Sequence, residues 1–207
     1  MPLQATNNTQ KPQKMQLANL LEEESNEVYK YDLIYVSASS SEFDKIAELA
    51  AKSCPNECII SIERVVNPAL EARYNKRKEY LMSISKTVTE REVFHGARHV
   101  GNAIPNILQF GFKAIHNTVS AYGKGTYLAE AYAYSKSYSG KGSNKDYKVM
   151  LVNKMCYTKL VQGIPNAYME DAKIEAGCVW ADRVQNQSIY SVPHDDQVIP
   201  TYLVQFY

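Results

Sequence analysis

The stretch YGKGTYLAEAYAYSKSY, residues 122–138, decides how this sequence is interpreted. Seven of the chain's 16 tyrosines lie between Tyr122 and Tyr157, and five of these fall inside the stretch. A tyrosine joins an apolar ring to a hydroxyl that needs a hydrogen-bond partner. The cluster therefore fits a β-rich core, and it fits equally a cleft whose walls stack on the rings of a ligand.

Local signals divide the stretch into short elements. We predict a turn at 122–125, a strand at 126–128 and a helix over 129–138. Glycine and serine residues then predict a flexible loop at 139–143.

Outside this stretch, helical and strand patterns follow one another in mixed order. One helix begins at a serine N-cap, for which Ser39, Ser40 and Ser41 are candidates, and stops before Pro55. A second begins at Asn67-Pro68, with asparagine as N-cap and proline in the first position. The other predicted elements are strands at 31–36, 58–66, 94–96, 149–157, 188–192 and 202–207, a helix over 99–110, a polar linker at 82–91 and a loop at 113–121. Because the strands cluster late, the order indicates an α+β fold.

Composition excludes several classes of protein. The 207 residues are 45% hydrophobic and 22% charged, with a net charge of +1. These values exclude a wholly disordered, collagen-like or coiled-coil chain. The balanced charge gives no bulk attraction to nucleic acid or anionic membrane, although a local basic patch stays open.

The predicted organisation is a flexible segment over residues 1–27, followed by one domain over 28–207. No run of 18 apolar residues occurs, so we expect no membrane span. We further expect a monomer inside the cell, in the cytoplasm or the nucleus. The four cysteines are expected to be reduced thiols. Cys54 and Cys58 lack a second pair of ligands, so no metal site is expected.

The sequence lacks the common catalytic motifs. It has no Walker loop, no GxGxxG fingerprint and no GxSxG elbow. The carboxylates at 22–24 and 170–171 lie in polar stretches that would not perturb a pKa. His95 alone is more typical of a structural histidine than of a catalyst.

Four segments, in this order, resemble the catalytic domain of the PARP-type, diphtheria-toxin-like ADP-ribosyltransferases. They are IERVVNPALEARYNKRKEYL (62–81), REVFHGARHVGNAIPNILQFGF (91–112), YGKGTYLAEAYAYSKSY (122–138) and SIYSVPHDDQVIPTYLVQFY (188–207). The resemblance covers residues 31–207. It implies a split, mostly antiparallel sheet with helices packed around an NAD+-binding cleft, and NAD+ as co-substrate without a metal.

The resemblance also implies roles for single residues. His95 would hydrogen-bond a ribose of NAD+, the backbone of Gly96 would hold the nicotinamide carboxamide, and the Ser135 hydroxyl would meet the same carboxamide. Tyr127 and Tyr138 would enclose the nicotinamide ring, because aromatic faces attract a flat cation.

Two further positions of the resemblance concern the NAD+ site and the reaction. Ala129 would line the site, and Ile189 occupies the third catalytic position, where chain-elongating members carry glutamate. Tyr134 stands where those members often carry lysine, Leu128 where phenylalanine is common, and the loop 113–121 has no arginine. These departures imply the mono-ADP-ribosylating, macrodomain-associated branch. The acceptor would be a protein side chain, including the chain's own, or a terminal phosphate of a nucleic acid.

Three alternatives stay open at this point. The domain could be a non-catalytic module that binds NAD+, ADP-ribose or RNA through the same cleft. A second alternative is an RNA 2′-phosphotransferase, which has a similar fold. Its chemistry needs several arginines to bind phosphate, and Arg91 and Arg98 near His95 are too few. Finally, the third catalytic residue could lie in Asp195-Asp196 rather than at Ile189, because strand registers are easily misassigned from sequence.

Overall fold

A computed structural model describes residues 31–97, 103–118, 120–140, 146–184 and 188–207. Within these ranges nine strands form one mostly antiparallel sheet. The strands are β1 (Asp32–Tyr35), β2 (Ile59–Val66), β3 (Thr89–Gly96), β4 (Thr126–Ala129), β5 (Lys148–Tyr157), β6 (Lys159–Gln162), β7 (Cys178–Ala181), β8 (Ile189–Val192) and β9 (Val198–Phe206). Their order across the sheet is β1-β2-β9-β5-β3-β4-β8-β7-β6, and the β6–β7 pair is parallel.

The same ranges contain five α-helices: α1 (Ser41–Ala51), α2 (Pro68–Ile84), α3 (Ala103–Phe110), α4 (Tyr132–Lys136) and α5 (Asp171–Glu175). The Ser40 hydroxyl accepts from Phe43 N at 3.2 Å, so Ser40 is the N-cap among the three candidate serines. The Asn67 side chain accepts from Leu70 N at 3.1 Å and confirms the predicted start of α2. Asn67 also donates to the Leu108 carbonyl at 2.9 Å and thereby joins the start of α2 to the end of α3. The α+β fold is confirmed.

Strand β5 shows how the core is divided between the two faces of the sheet. Successive side chains of a strand point to opposite faces. Val149 and Leu151 belong to the cluster that includes Leu108 of α3, whereas Met150 belongs to the cluster that includes Ile46 of α1. Both faces are therefore covered by helices, and the alternating strand is buried on each side.

The sheet narrows sharply between β3 and β4. Eight residue pairs join β3 to β5, but the register between β3 and β4 contains only Phe94 opposite Ala129. Beyond this pair the two strands diverge. The end of β3 and the β3-facing edge of β4 before Ala129 can therefore form the walls of an opening.

Several predicted boundaries were wrong. The linker proposed at 82–91 instead contains the end of α2 and the start of β3, because eight ladder pairs with β5 hold a polar segment as strand. The helix proposed over 129–138 is shorter, since Ala129 pairs in β4. The closing strand at 202–207 instead runs from Val198 to Phe206.

The structure also contains elements that were not predicted from the sequence. The proposed loop 113–121 includes a 3₁₀ turn at Ala114–His116. Strands β6 and β7 and helix α5 were missed. The N-terminal segment 1–27, part of the helix proposed over 99–110 and most of the loop 139–143 lie outside the described residues. Over the described ranges, no helix is both long and apolar enough to cross a bilayer.

Candidate active site

A cleft of about 730 Å³ opens where β3 and β4 diverge. Its lining combines β3, α3, the segment 111–117, β4, α4 and the start of β8. All seven site residues predicted from the sequence are among those that line it: His95, Gly96, Tyr127, Ala129, Ser135, Tyr138 and Ile189. The fold therefore brings the predicted residues together, although they span 95 positions of sequence, from 95 to 189.

His95 is fixed at the end of β3. Its Nδ1 lies 2.9 Å from the carbonyl oxygen of Tyr127, and its ring packs edge-on against Phe112 at 5.1 Å between centroids. Because a carbonyl only accepts, Nδ1 carries the proton and Nε2 is left as an acceptor. Burial lowers the pKa of His95, while the hydrogen bond to the Tyr127 carbonyl opposes this shift. The imidazole is therefore neutral at physiological pH.

Gly96 and Ser135 mark the closest approach of β3 to α4. A Cβ at position 96 would collide with the Ser135 carbonyl oxygen and would stand 2.8 Å from Ser139 Oγ. A side chain there would push α4 away from β3, so glycine is required. The Ser135 hydroxyl donates to the Phe94 carbonyl at 3.0 Å and keeps its own oxygen available as an acceptor.

Tyr127 is held by its hydroxyl. The phenol accepts from Tyr122 N at 2.7 Å and donates to the Gly123 carbonyl at 3.0 Å. Burial raises the pKa of Tyr127, so the phenol stays protonated. These two bonds fix the ring at the cleft wall, where it lies 6.5 Å from the ring of Tyr122.

The glycine turn before β4 rests on β7 and β8. Gly123 has a φ of +105°, and a Cβ there would stand 2.6 Å from Trp180 Nε1. The Ser191 hydroxyl donates to the Gly123 carbonyl at 3.0 Å. Trp180 and Ser191 thus support the turn from below. Sequence reasoning missed both, because these contacts join residues 57 and 68 positions apart.

Tyr134 and Tyr138 form a pair at the cleft surface. Their hydroxyls are 3.1 Å apart and their rings 5.4 Å apart at an angle of 41°. Tyr134 is 40% exposed and Tyr138 47%, so both rings have faces open to a ligand. Burial, together with the hydrogen bond to Tyr138, raises the pKa of Tyr134.

Ile189 begins β8 and lies directly across the ladder from Ala129 of β4. It is 5% exposed. Its backbone N–H donates to Asp182 at 3.1 Å, and Ser188 donates to the same carboxylate through its N–H at 2.9 Å and its hydroxyl at 2.8 Å. Burial alone would raise the pKa of Asp182, but these hydrogen bonds outweigh burial and lower the pKa. Asp182 is therefore an ionised anchor for the start of β8.

The alternative third residue, in Asp195-Asp196, is not placed in the cleft lining. Asp195 accepts from Ala114 N at 2.8 Å and pairs with Lys113 at 3.2 Å. Asp196 pairs with Arg73 of α2. Both carboxylates therefore hold neighbouring segments together.

Further cleft residues come from α3 and the segment that follows it. Sequence reasoning described 113–121 only as a short loop without arginine, yet Lys113, His116 and Asn117 line the cleft. Asn117 also donates to the Gly125 carbonyl at 2.6 Å. These residues supply polar groups and the Lys113 cation to the cleft lining. Among the described residues, no Asp or Glu lines the cleft.

Residues 40–207 match the family model described as the poly(ADP-ribose) polymerase catalytic domain. The chain belongs to the PARP catalytic-domain family. Human protein mono-ADP-ribosyltransferase PARP12 is 30% identical over 188 residues, which is 85% of this chain and 26% of the relative. Mouse PARP12 is 29% identical over 84% of this chain and 25% of the relative, and human PARP14 is 27% identical over 81% and 10%.

The chain thus spans about a quarter or less of the length of these curated relatives. The matched residues 40–207 include the whole cleft lining. In the part of the chain that the structure describes, no three His, Cys, Asp or Glu side chains are grouped as a metal site would require. Cys54 and Cys58 are free thiols.

Proposed function

We propose that this chain is an NAD+-dependent ADP-ribosyltransferase that transfers a single ADP-ribose unit to an acceptor and releases nicotinamide. The observation that carries the proposal is that five predicted residues line a single cleft. They are His95, Gly96, Ser135, the anchored Tyr127 and the exposed Tyr138. We further propose residues 28–207 as the catalytic unit.

The chemistry of these groups fits nicotinamide riboside. A neutral His95 offers Nε2 to a ribose hydroxyl, since Nδ1 is already used by the Tyr127 carbonyl. The Ser135 oxygen accepts from the carboxamide NH₂, and the Gly96 backbone completes the contact. Tyr127 and Tyr138 supply aromatic faces to the positively charged ring.

In the proposed reaction, the bond between the nicotinamide nitrogen and the ribose carbon breaks, and nicotinamide leaves as a neutral molecule with the bonding electrons. The acceptor nucleophile forms a new bond to the same carbon from the opposite face. The protein contributes orientation and placement of charge, and it needs no covalent intermediate. The neutral, hydrogen-bonded His95 holds the ribose during this step.

The described residues of the cleft lining include no carboxylate, which supports transfer of one unit. Chain elongation requires activation of a ribose hydroxyl on an ADP-ribose that is already attached, which a carboxylate can do by accepting its hydrogen bond. The side chain of Ile189 has no acceptor atom, and the nearby Asp182 carboxylate already accepts from Ser188 and the Ile189 N–H. The acceptor must therefore bring its own negative charge, as a carboxylate side chain or a phosphate does.

The same lining also favours a second candidate. With no carboxylate among the described lining residues, a domain that binds NAD+ or ADP-ribose without transferring it is the second candidate. Incubation of the purified chain with NAD+ labelled in the adenylate, followed by mass spectrometry of the chain and of added protein and nucleic-acid acceptors, separates the two. Adducts of one ADP-ribose with release of nicotinamide support the transferase, whereas saturable NAD+ binding without either product supports the module.

A further inference from the structure

Helix α4 is unusually dependent on its surroundings. It has five residues, and its N-cap, Ala131, has no side-chain acceptor. A helix of this length is not stable alone, so its position is set by tertiary contacts. Yet α4 provides Tyr134 and Ser135 to the cleft, and Tyr138 follows two residues after its end.

The missing cap is supplied from a distant segment. Ser53 Oγ accepts a hydrogen bond from Ala133 N at 3.1 Å, across 80 positions of sequence. Ala133 is the second residue of α4, and its N–H is one that an N-cap side chain would normally satisfy. Ser53 therefore takes the place of the side chain that Ala131 lacks.

The other end of α4 is held by the same segment. Lys136 Nζ lies 2.7 Å from Glu57 Oε2, and only 4% of the Glu57 side chain is exposed. The same ammonium stands 5.6 Å over the ring of Phe206. A buried carboxylate needs a partner, so this pair fixes the last turn of α4. The loop 53–57 thus contacts both ends of the helix.

We propose that Ser53 and Glu57 are positioning residues, which set the nicotinamide end of the cleft by holding α4 against β3. Neither lines the cleft. The gap between β3 and α4 has no spare room, because the Ser135 carbonyl occupies the space a side chain at Gly96 would need. A small shift of α4 therefore moves Ser135 and Tyr138 together. The effect on NAD+ rests on the proposed function, but the effect on α4 does not.

The experiment compares Ser53→Ala with Ser40→Ala. Ser40 caps α1 in the same way, through Phe43 N at 3.2 Å, but no residue of α1 lines the cleft. Ser53→Thr retains a hydroxyl oxygen and serves as the rescue variant. For each protein, three quantities are measured: the melting temperature, the dissociation constant for NAD+, and the hydrogen-exchange rates of the amides of residues 132–138 without ligand.

We expect both alanine variants to fold and to lose similar thermal stability. Only Ser53→Ala should speed exchange in α4, by about fivefold, and raise the dissociation constant for NAD+ by a similar factor, as loss of one cap implies. Ser53→Thr should keep both the exchange rate in α4 and the dissociation constant for NAD+ close to those of the unaltered chain. Unchanged exchange in α4, or equal effects of the two alanine variants on NAD+, would overturn the proposal.

The two proposals fail separately. If the unaltered chain binds no NAD+, the proposed function is wrong, and exchange in α4 alone decides whether Ser53 positions the helix. A second variant, Glu57→Gln, tests the other contact. It should speed exchange at the last turn of α4, and the absence of that change would also contradict the proposal.

Discussion

His95 Nδ1 and the carbonyl oxygen of Tyr127 lie 2.9 Å apart, so the backbone of β4 fixes the imidazole of β3. This bond sets the tautomer and leaves Nε2 for a ligand. Removing the imidazole should therefore affect NAD+ orientation more than folding. His95→Ala should lower transfer by about 10²-fold, the scale of lost positioning. Transfer assays on the folded variant measure this, and full activity would contradict the assigned role.

The pH dependence of NAD+ binding should reflect the same histidine. Burial lowers the pKa of His95, so the neutral form persists below the ordinary value of about 6.5. Binding should be constant above pH 6.5 and fall only as the pH drops through the lowered value, where protonation removes the Nε2 acceptor. The associated stability is likewise present above 6.5 and lost on acidification. His95→Gln should bind NAD+ without this acid limb. A limb that persists in this variant would assign it to another group, such as His194, whose pKa is also lowered.

Gly96→Ala should disturb the cleft through backbone rather than side-chain contacts. The added methyl meets the Ser135 carbonyl, which cannot rotate away, so α4 must move. We expect a loss of about 1–3 kcal/mol of stability, as for overpacked sites, together with weaker NAD+ binding. Thermal denaturation and titration calorimetry measure the two effects. An unchanged melting temperature with unchanged affinity would show that β3 and α4 are not closely apposed.

Tyr138→Ala should weaken NAD+ binding without much effect on the fold, because the ring is 47% exposed. Loss of one aromatic face is worth about 0.5–2 kcal/mol, or about two- to thirty-fold in the dissociation constant. Tyr35→Ala is a suitable control, since Tyr35 is 65% exposed and lies in β1, away from the cleft. If Tyr138 instead belongs to the core, its variant will melt earlier and keep its affinity per folded molecule.

Product length tests Ile189. The unaltered chain should give single ADP-ribose adducts, since no described cleft residue carries a carboxylate. A ladder of products on a sequencing gel would contradict this. Ile189→Glu introduces the missing carboxylate, but position 189 is 5% exposed, so the charge should destabilise the chain before it adds activity. Ile189→Gln is the control, because glutamine has nearly the shape of glutamate without its charge. It separates the effect of side-chain shape on stability from the effect of the charge.

Local signals in the sequence predicted the starts of α1 and α2, because a serine cap within 39–41 and Asn67-Pro68 act on the residues directly after them. The resemblance likewise brought His95 and Tyr127 to one site. Contacts between distant segments could not be predicted in this way. Strand β7 has four buried residues and no alternation, and its pairing with β6 and β8 makes it a strand. The bond from Ala133 to Ser53 has no local signature at either residue.

Trp180 is the only tryptophan of the 207 residues, and its indole lies against Gly123 under the turn that anchors Tyr127. A ligand that shifts Tyr122 or Tyr127 must move this turn, and with it the environment of the indole. The protein therefore carries an intrinsic fluorophore directly behind its cleft wall. Occupancy of the cleft can be followed by emission from a single defined position, without label or acceptor.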